Sequence, residues 1–168
     1  LTSELEQFEK IFRHYRPGLC GFAHSIVNNH SDSEEIVHDV FVSVWEKRSN
    51  LTLDHGLKSY LFTAVKNRCL NHLKKARLPF AEMPDEFEAK SHTHGADKVL
   101  EGRELEKQVT DAINELPPKC KQAFLLSRMY EFSYREIAEV MEISTKTVEN
   151  QIGIALKHLK HRLGKTRN

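Results

Sequence analysis

Apolar residues recur at every third or fourth position along most of this chain, and a two-residue alternation persists nowhere in it. That periodicity restricts the fold more than any other feature. Only 7 glycines and 5 prolines interrupt it in 168 residues, so the sequence predicts an all-α protein. A first helix places Phe8, Ile11, Phe12, Tyr15, Leu19, Phe22, Ala23 and Ile26 on one face, with a kink or break expected at Pro17-Gly18. After a turn over Asn28-Asn-His-Ser31, a second helix capped by Ser31 or Asp32 carries Ile36, Val37, Val40, Phe41, Val44 and Trp45 as its stripe. A loop from Thr52 to Gly56 leads to a third helix from about Lys58 to Arg77, which buries Leu61, Val65, Cys69 (or Phe62) and Leu73.

The pattern then fails. Pro79, Pro84 and Gly95 punctuate a stretch rich in acids and small polar residues, which reads as a flexible linker or a loop that orders on a partner. A second helical group follows. Leu105, Val109, Ala112, Ile113 and Leu116 form one stripe, closed by Pro117-Pro118, and Ala123, Phe124, Leu126 and Met129 form the next. The division expected is two small helical bundles, 1–77 and 105–168, joined by a linker over 78–104. Neither bundle alone buries more than a modest core.

The second bundle ends in the run Phe132-Ser-Tyr-Arg-Glu-Ile-Ala-Glu-Val-Met-Glu-Ile-Ser-Thr-Lys-Thr-Val-Glu-Asn-Gln-Ile152. Ser133 with Glu136 makes a capping box, and Phe132 with Ile137 a hydrophobic staple. Ser144 caps the next helix, whose stripe is Val148, Ile152, Ala155, Leu159 and Leu163. Off that stripe, near the helix start, lie Thr145, Lys146, Thr147, Glu149, Asn150 and Gly153, polar or small as a major-groove reading surface requires. The layout is a helix-turn-helix, although Glu142-Ile143 stands where such a turn often carries glycine. No acid occurs from Asn150 to the chain end, and Lys157 opens a basic strip suited to phosphates.

Net charge is only +1, so the distribution says more than the sum. Between His55 and Ala81 stand Lys58, Lys66, Arg68, Lys74, Lys75 and Arg77 with no acid, whereas acids predominate from Glu82 to Glu104. Two basic regions separated by an acidic one suggest two contact surfaces. Cys20, Cys69 and Cys120 are odd in number and widely spaced, which argues against a disulfide framework or a zinc ribbon and fits a reducing cytosol. His92-Thr-His94 has no organised carboxylate set beside it, and neither a Gly-rich phosphate loop nor a nucleophile motif occurs. The expectation is a cytoplasmic, non-enzymatic protein that needs no cofactor or metal, takes no small-molecule substrate and inserts in no membrane.

The runs Ser33-Glu-Glu-Ile-Val-His-Asp-Val-Phe-Val-Ser-Val-Trp45, Leu57-Lys-Ser-Tyr-Leu-Phe-Thr-Ala-Val-Lys-Asn-Arg-Cys69 and Leu116-Pro-Pro-Lys119, followed by the helix-turn-helix, are each moderately specific. In this order they make the chain resemble the extracytoplasmic-function class of bacterial RNA polymerase sigma factors, in the sigma-70 family. The resemblance covers nearly the whole chain. It implies that 1–77 is sigma region 2, which recognises and melts the −10 element, and that 105–168 is region 4, which reads the −35 element. Glu35, His38, Asp39, Ser43 and Glu46 would dock on the clamp helices of the largest subunit of core RNA polymerase, whose beta flap is a further implied contact of the chain. The loop from Asn50 to Leu57 would take a flipped base, and Lys58, Lys66, Asn67, Arg68, Asn71, Lys74 and Lys75 would line the −10 strand's path. In the recognition helix the promoter contacts would be Thr145, Lys146, Thr147, Glu149, Asn150 and Lys157. The chain departs from many relatives there, with Glu149, Gln151 and Ile154 where they carry arginines, which implies a different upstream element. The acids Asp85, Glu86 and Glu88 would lie along the polymerase's RNA path. An anti-sigma factor is a further implied partner.

A second resemblance competes with the first. The run Arg135-Glu-Ile-Ala138 with Ser144, Lys146, Thr147, Val148 and Glu149 also resembles the output domain of LuxR-type regulators. That likeness covers only the last third of the chain and leaves the first two runs without a role.

Overall fold

The computed structural model describes residues 2–50, 56–77 and 101–164. Residues 51–55 of the base-pocket loop and 78–100 of the linker, with Asp85, Glu86, Glu88, His92 and His94, lie outside the described residues, whereas 101–104, expected in the linker, open α4. Within them the chain is all-α: α1 Thr2–Val27, α2 His30–Glu46, α3 Leu57–Arg77, α4 Glu101–Asn114, α5 Pro118–Arg128, α6 Tyr134–Met141 and α7 Thr145–Gly164, with a single 3-10 turn at Arg48–Asn50.

α1, α2 and α3 pack on one another through the predicted stripes. Leu19, Phe22, Val37, Val40, Leu61, Val65 and Cys69 are essentially inaccessible to solvent. Phe8 and Phe12 meet Phe41 edge-on at centroid distances of 6.1 and 4.9 Å, and Phe8 also meets Trp45 at 5.0 Å. In the C-terminal half, α7 packs against α4, α5 and α6. Ala112, Leu116, Cys120, Phe124, Ala155 and Leu159 form one small cluster there. The other core cluster is not confined to one bundle. It runs from Leu19 and Phe22 of α1 through Phe62 and Val65 of α3 to Ala123 and Leu126 of α5, Phe132, Ile137 of α6 and Val148 and Ile152 of α7. The two bundles are therefore sealed against each other by apolar surface.

Several local expectations are corrected. A break at Pro17 is absent, since α1 is helical from Thr2 to Val27 with Pro17 inside it. The ring is exposed, so the Arg13 carbonyl that loses its N–H partner can be reached by water, while Tyr15, Leu19 and Phe22 hold the helix on its inner side. The cap of α2 is Asn29 rather than Ser31 or Asp32: its Oδ1 accepts from the Asp32 N–H at 2.9 Å. Asn28, at φ 55°, ends α1 in the left-handed region and makes that two-residue turn possible. Met129 and Leu105 are 63% and 59% exposed rather than core residues. α5 stops at Arg128, before Met129 can turn inward, and only the C-terminal half of α4 reaches the apolar cluster. Leu73 is half-buried, as is Leu163 at the end of the α7 stripe.

Candidate nucleic-acid interface

The helix-turn-helix is built by side chains that answer its orphan backbone groups. Ser133 Oγ accepts from the Glu136 N–H at 3.2 Å, and Glu136 Oε1 accepts from the Ser133 N–H at 2.9 Å, completing the capping box. That backbone bond, first among its causes, holds the Glu136 carboxyl below its usual range. The staple residues Phe132 and Ile137 are both buried. Glu142 takes the turn position that glycine often fills and pays the backbone cost itself, at φ 57° and ψ 47°. At the start of α7, Ser144 Oγ accepts from the Thr147 N–H at 3.1 Å and lies 2.9 Å from the Thr147 hydroxyl.

α7 thus offers Thr145, Lys146, Glu149 and Asn150 to solvent in its first turns, while Thr147 is half-buried and engaged with Ser144. Lys146 Nζ reaches Glu149 at 3.8 Å, a surface pair that counterions weaken. Lys157 is exposed twelve residues after Thr145, about 18 Å along the helix axis. Ile154 and Leu156, also outside the buried stripe, are 53% and 41% exposed. The helix is anchored at its far end by Glu115, whose carboxylate accepts three bonds from Arg162 at 3.0–3.1 Å and lies 3.1 Å from His158 Nε2. The Arg162 bond lowers the Glu115 carboxyl's pKa most.

The seven residues predicted on α3 divide by face. Asn67, Arg68 and Asn71 line an open cleft of about 440 Å³ between α2 and α3, together with Val40, Ser43, Lys47, Tyr60 and Ala64. Lys74 and Lys75 stand in solvent beyond it. Lys58 and Lys66 do not join this group. Lys66 is 5% exposed and donates from Nζ to the Val140 carbonyl of α6 at 2.6 Å. Lys58 donates to the Tyr130 carbonyl and lies 4.2 Å over the Phe132 ring. Phe62, between the two lysines on the same face, completes an aromatic cluster with Phe22, Tyr130 and Phe132 at 5.0–5.3 Å. In this arrangement the C-terminal bundle covers one whole stripe of the basic helix.

Sequence reasoning missed Tyr60 and Lys47 of the cleft. Tyr60, Ala64, Asn67 and Asn71 share a stripe at helical spacing, and Tyr60 on it is 37% exposed. On α2, Glu35, His38, Asp39 and Glu46 are exposed as expected, whereas Ser43 is half-buried in the cleft wall. Val42, 43% exposed among those polar residues, was not foreseen and adds an apolar contact to that face. Among the described residues no group of His, Cys, Asp and Glu is arranged to hold a metal ion, and no helix is long and apolar enough to cross a membrane.

Comparison with known families places both halves. Sigma-70 region 2 matches residues 11–78, and Sigma-70 region 4 matches residues 106–159. The chain is 26% identical over 159 residues to the ECF RNA polymerase sigma factor RpoE of Cereibacter sphaeroides, covering 93% of this chain and 86% of that protein. It is 23% identical to the ECF RNA polymerase sigma-E factor of Haemophilus influenzae, over 93% of this chain and 87% of that one. Among solved structures, the sigma factor RpoE in complex with the anti-sigma factor NepR from Bartonella quintana matches at TM-score 0.76 and 22% identity, over 95% of this chain and 98% of that one. CnrH in complex with the cytosolic domain of CnrY matches at TM-score 0.65 and 20% identity, over 96% and 90%. The region 2 match accounts for the half of the chain that a LuxR-type regulator would leave unexplained. A melting-domain bundle followed by a capped helix-turn-helix, each matched to its own region in family order, shows that this chain belongs to the extracytoplasmic-function group of the sigma-70 family, factors for transcription initiation rather than a class of enzymes.

Proposed function

We propose that residues 1–77 and 105–168 divide the promoter between them, with 78–104 as the connection that spans the polymerase. The outer face of α2, with Glu35, His38, Asp39, Val42 and Glu46, is a polar and acidic ridge with one apolar contact, suited to a basic, structured partner. It docks on the clamp helices of core RNA polymerase. The cleft between α2 and α3 takes the single strand of the −10 element: Tyr60 supplies a stacking face, Asn67 and Asn71 polar contacts, and Arg68, Lys74 and Lys75 phosphate contacts. α7 enters the major groove of the −35 element. There Lys146 and Asn150 reach base edges, Glu149 accepts from cytosine, and Lys157 holds a phosphate. An anti-sigma factor is the expected protein antagonist, since a matching solved sigma factor is bound to one.

The observation that carries this reading is the cleft, where an exposed aromatic and three polar or cationic side chains converge beside the docking ridge. Run-off transcription with purified core RNA polymerase tests it. Initiation from a defined promoter only when this chain is added supports it, and failure to form a complex with core overturns it. A LuxR-type regulator would instead bind duplex DNA tightly without polymerase.

A further inference from the structure

Gly153 stands in the middle of α7, where glycine is the poorest helix former after proline. A Cβ built there would meet no atom of the described residues within 4 Å. Gly18 and Gly21 of α1 differ, because a Cβ on them would stand 3.5 and 2.9 Å from Tyr130, and packing accounts for both. Gly102 and Gly164 also face open space, but they lie in the first and last turns of their helices, which fray. Only for Gly153, among these five, does the fold of the chain supply no reason. Its neighbour Ile154 is 53% exposed, and a β-branched side chain adds little to a helix unless it packs. Asn150, Gly153, Ile154 and Lys157 follow the spacing i, i+3, i+4 and i+7, so they form one patch. All four are exposed, on the side away from Val148, Ile152, Ala155 and Leu159. The patch has an amide at one end and a cation at the other, with a notch beside an apolar side chain between them.

That combination matches one feature of the DNA major groove. Thymine presents its 5-methyl group there, an apolar contact for an apolar side chain, and adenine presents N6 and N7 to an asparagine amide. Isoleucine is far shorter than arginine, the commonest base-reading side chain. A helix that reads with isoleucine must therefore lie closer to the base edges. The missing Cβ at Gly153 gives the backbone room for that approach.

We propose that Gly153 and Ile154 make α7 a reader of thymine. Gly153 seats the helix deep in the major groove, and Ile154 packs on a thymine 5-methyl group near an adenine held by Asn150. The inference rests on the reading of α7 as the −35 helix. It adds what this helix selects, a methyl-bearing A·T step, and which two residues make the selection.

The test uses the full chain bound to core RNA polymerase, with promoter duplexes that this holoenzyme recovers from a library randomised across the −35 element. Each thymine of the recovered element is replaced singly by deoxyuridine, which keeps the base pair and removes only the methyl group. At one position the replacement should weaken binding about fourfold, the factor for one buried methyl group. The same replacement should leave binding by the Ile154→Ala variant unchanged. Gly153→Ala should raise the melting temperature of the free chain by about 2–4 °C, yet weaken promoter binding about fivefold or more. A glycine with a merely structural role would not move stability and binding in opposite directions. Recovered elements without thymine overturn the proposal, as does deoxyuridine that is neutral at every position or equally costly to Ile154→Ala. Gly153→Ala that binds as well as the parent overturns it too. Lys146→Ala with Lys157→Ala separates these failures from a failure of the −35 reading. If this pair weakens promoter binding while deoxyuridine is neutral, the docking of α7 stands and the thymine contact fails. If the pair has no effect and no −35 sequence is enriched, α7 does not read the element, and the proposal falls with that reading.

Discussion

On one face of α3, Lys58 and Lys66 are held against carbonyls of the other bundle, with Phe62 between them. On the outer side, Asn67, Arg68 and Asn71 line an open cleft, and Lys74 and Lys75 extend the charge beyond it. The residue types are alike, yet the inner lysines are spent on helix ends and the outer cations remain available. Position relative to a second bundle, rather than chemistry, decides which cations of α3 stay exposed to solvent. The same helix therefore packs in the core from one side and lines an open cleft from the other.

The largest expected effect separates the two sides through stability. Phe62 is 2% exposed and touches three aromatic rings, so Phe62→Ala should lower unfolding free energy by about 3–5 kcal/mol. Tyr60→Ala, two residues away on the opposite side of the helix in the cleft wall, should cost less than about 1 kcal/mol. Denaturant melts of both variants check this. Equal losses would mean that the cleft side is as much core as the interface side.

The next prediction concerns alkaline pH. Burial pushes the Cys69 thiol up to about 12 from its ordinary 9.0. Because the folded state favours the protonated thiol, its contribution is complete below pH 9 and is lost as pH rises through the folded value. The slope is about 1.4 kcal/mol per pH unit in that window. Tyr130, also pushed up to about 12 by burial, acts in the same direction. Lys66 and Lys121, whose pKa values burial lowers, act in the opposite one. Cys69→Ala leaves those groups in place. The difference between parent and variant stability from pH 9 to 11 should therefore isolate the thiol, and a parallel pair of curves would refute its buried setting.

A smaller effect belongs to the outer side. Removing Lys74 and Lys75 should reduce the slope of log affinity against log salt for single-stranded DNA by about 1.4, at about 0.7 per lost phosphate contact. The melting temperature should stay the same. An unchanged slope would place these lysines outside the strand's path.

Much of this was legible in the chain because it is local. The stripes of α1, α2 and α7 follow from spacing alone, and the capping box at Ser133 and Glu136 follows from two residues three apart. The cap at Ser144 was legible on the same grounds. The cover over Lys58 and Lys66 was not, since nothing near them in sequence distinguishes them from Lys74 and Lys75. Their acceptors lie more than seventy residues away, on backbone carbonyls that no side-chain pattern announces. Tyr60 and Val42 escaped for a related reason: an aromatic or apolar residue on a helix reads as core until its neighbours show which side is filled. Pro17 misled in the opposite direction, because a proline whose freed carbonyl faces solvent costs less than one inside a core.

The smallest effect compares two turns with the same backbone strain. Glu131 and Glu142 both adopt φ near the left-handed region, at 58° and 57°. Replacing either by glycine removes a steric cost of about 1–2 kcal/mol, offset in part by the greater freedom of glycine in the unfolded chain. Glu131→Gly should therefore gain from a few tenths to about 1 kcal/mol. Glu142 has a second task, because its charge supports the buried Lys66 ammonium and counters the effect of burial on it. Glu142→Gly should gain less than Glu131→Gly, and the shortfall should vanish when Lys66→Met is present in both backgrounds. Thermal melts of the four variants measure it. If the shortfall persists without Lys66, the difference lies in the turns themselves and not in the ammonium on the inner face of α3.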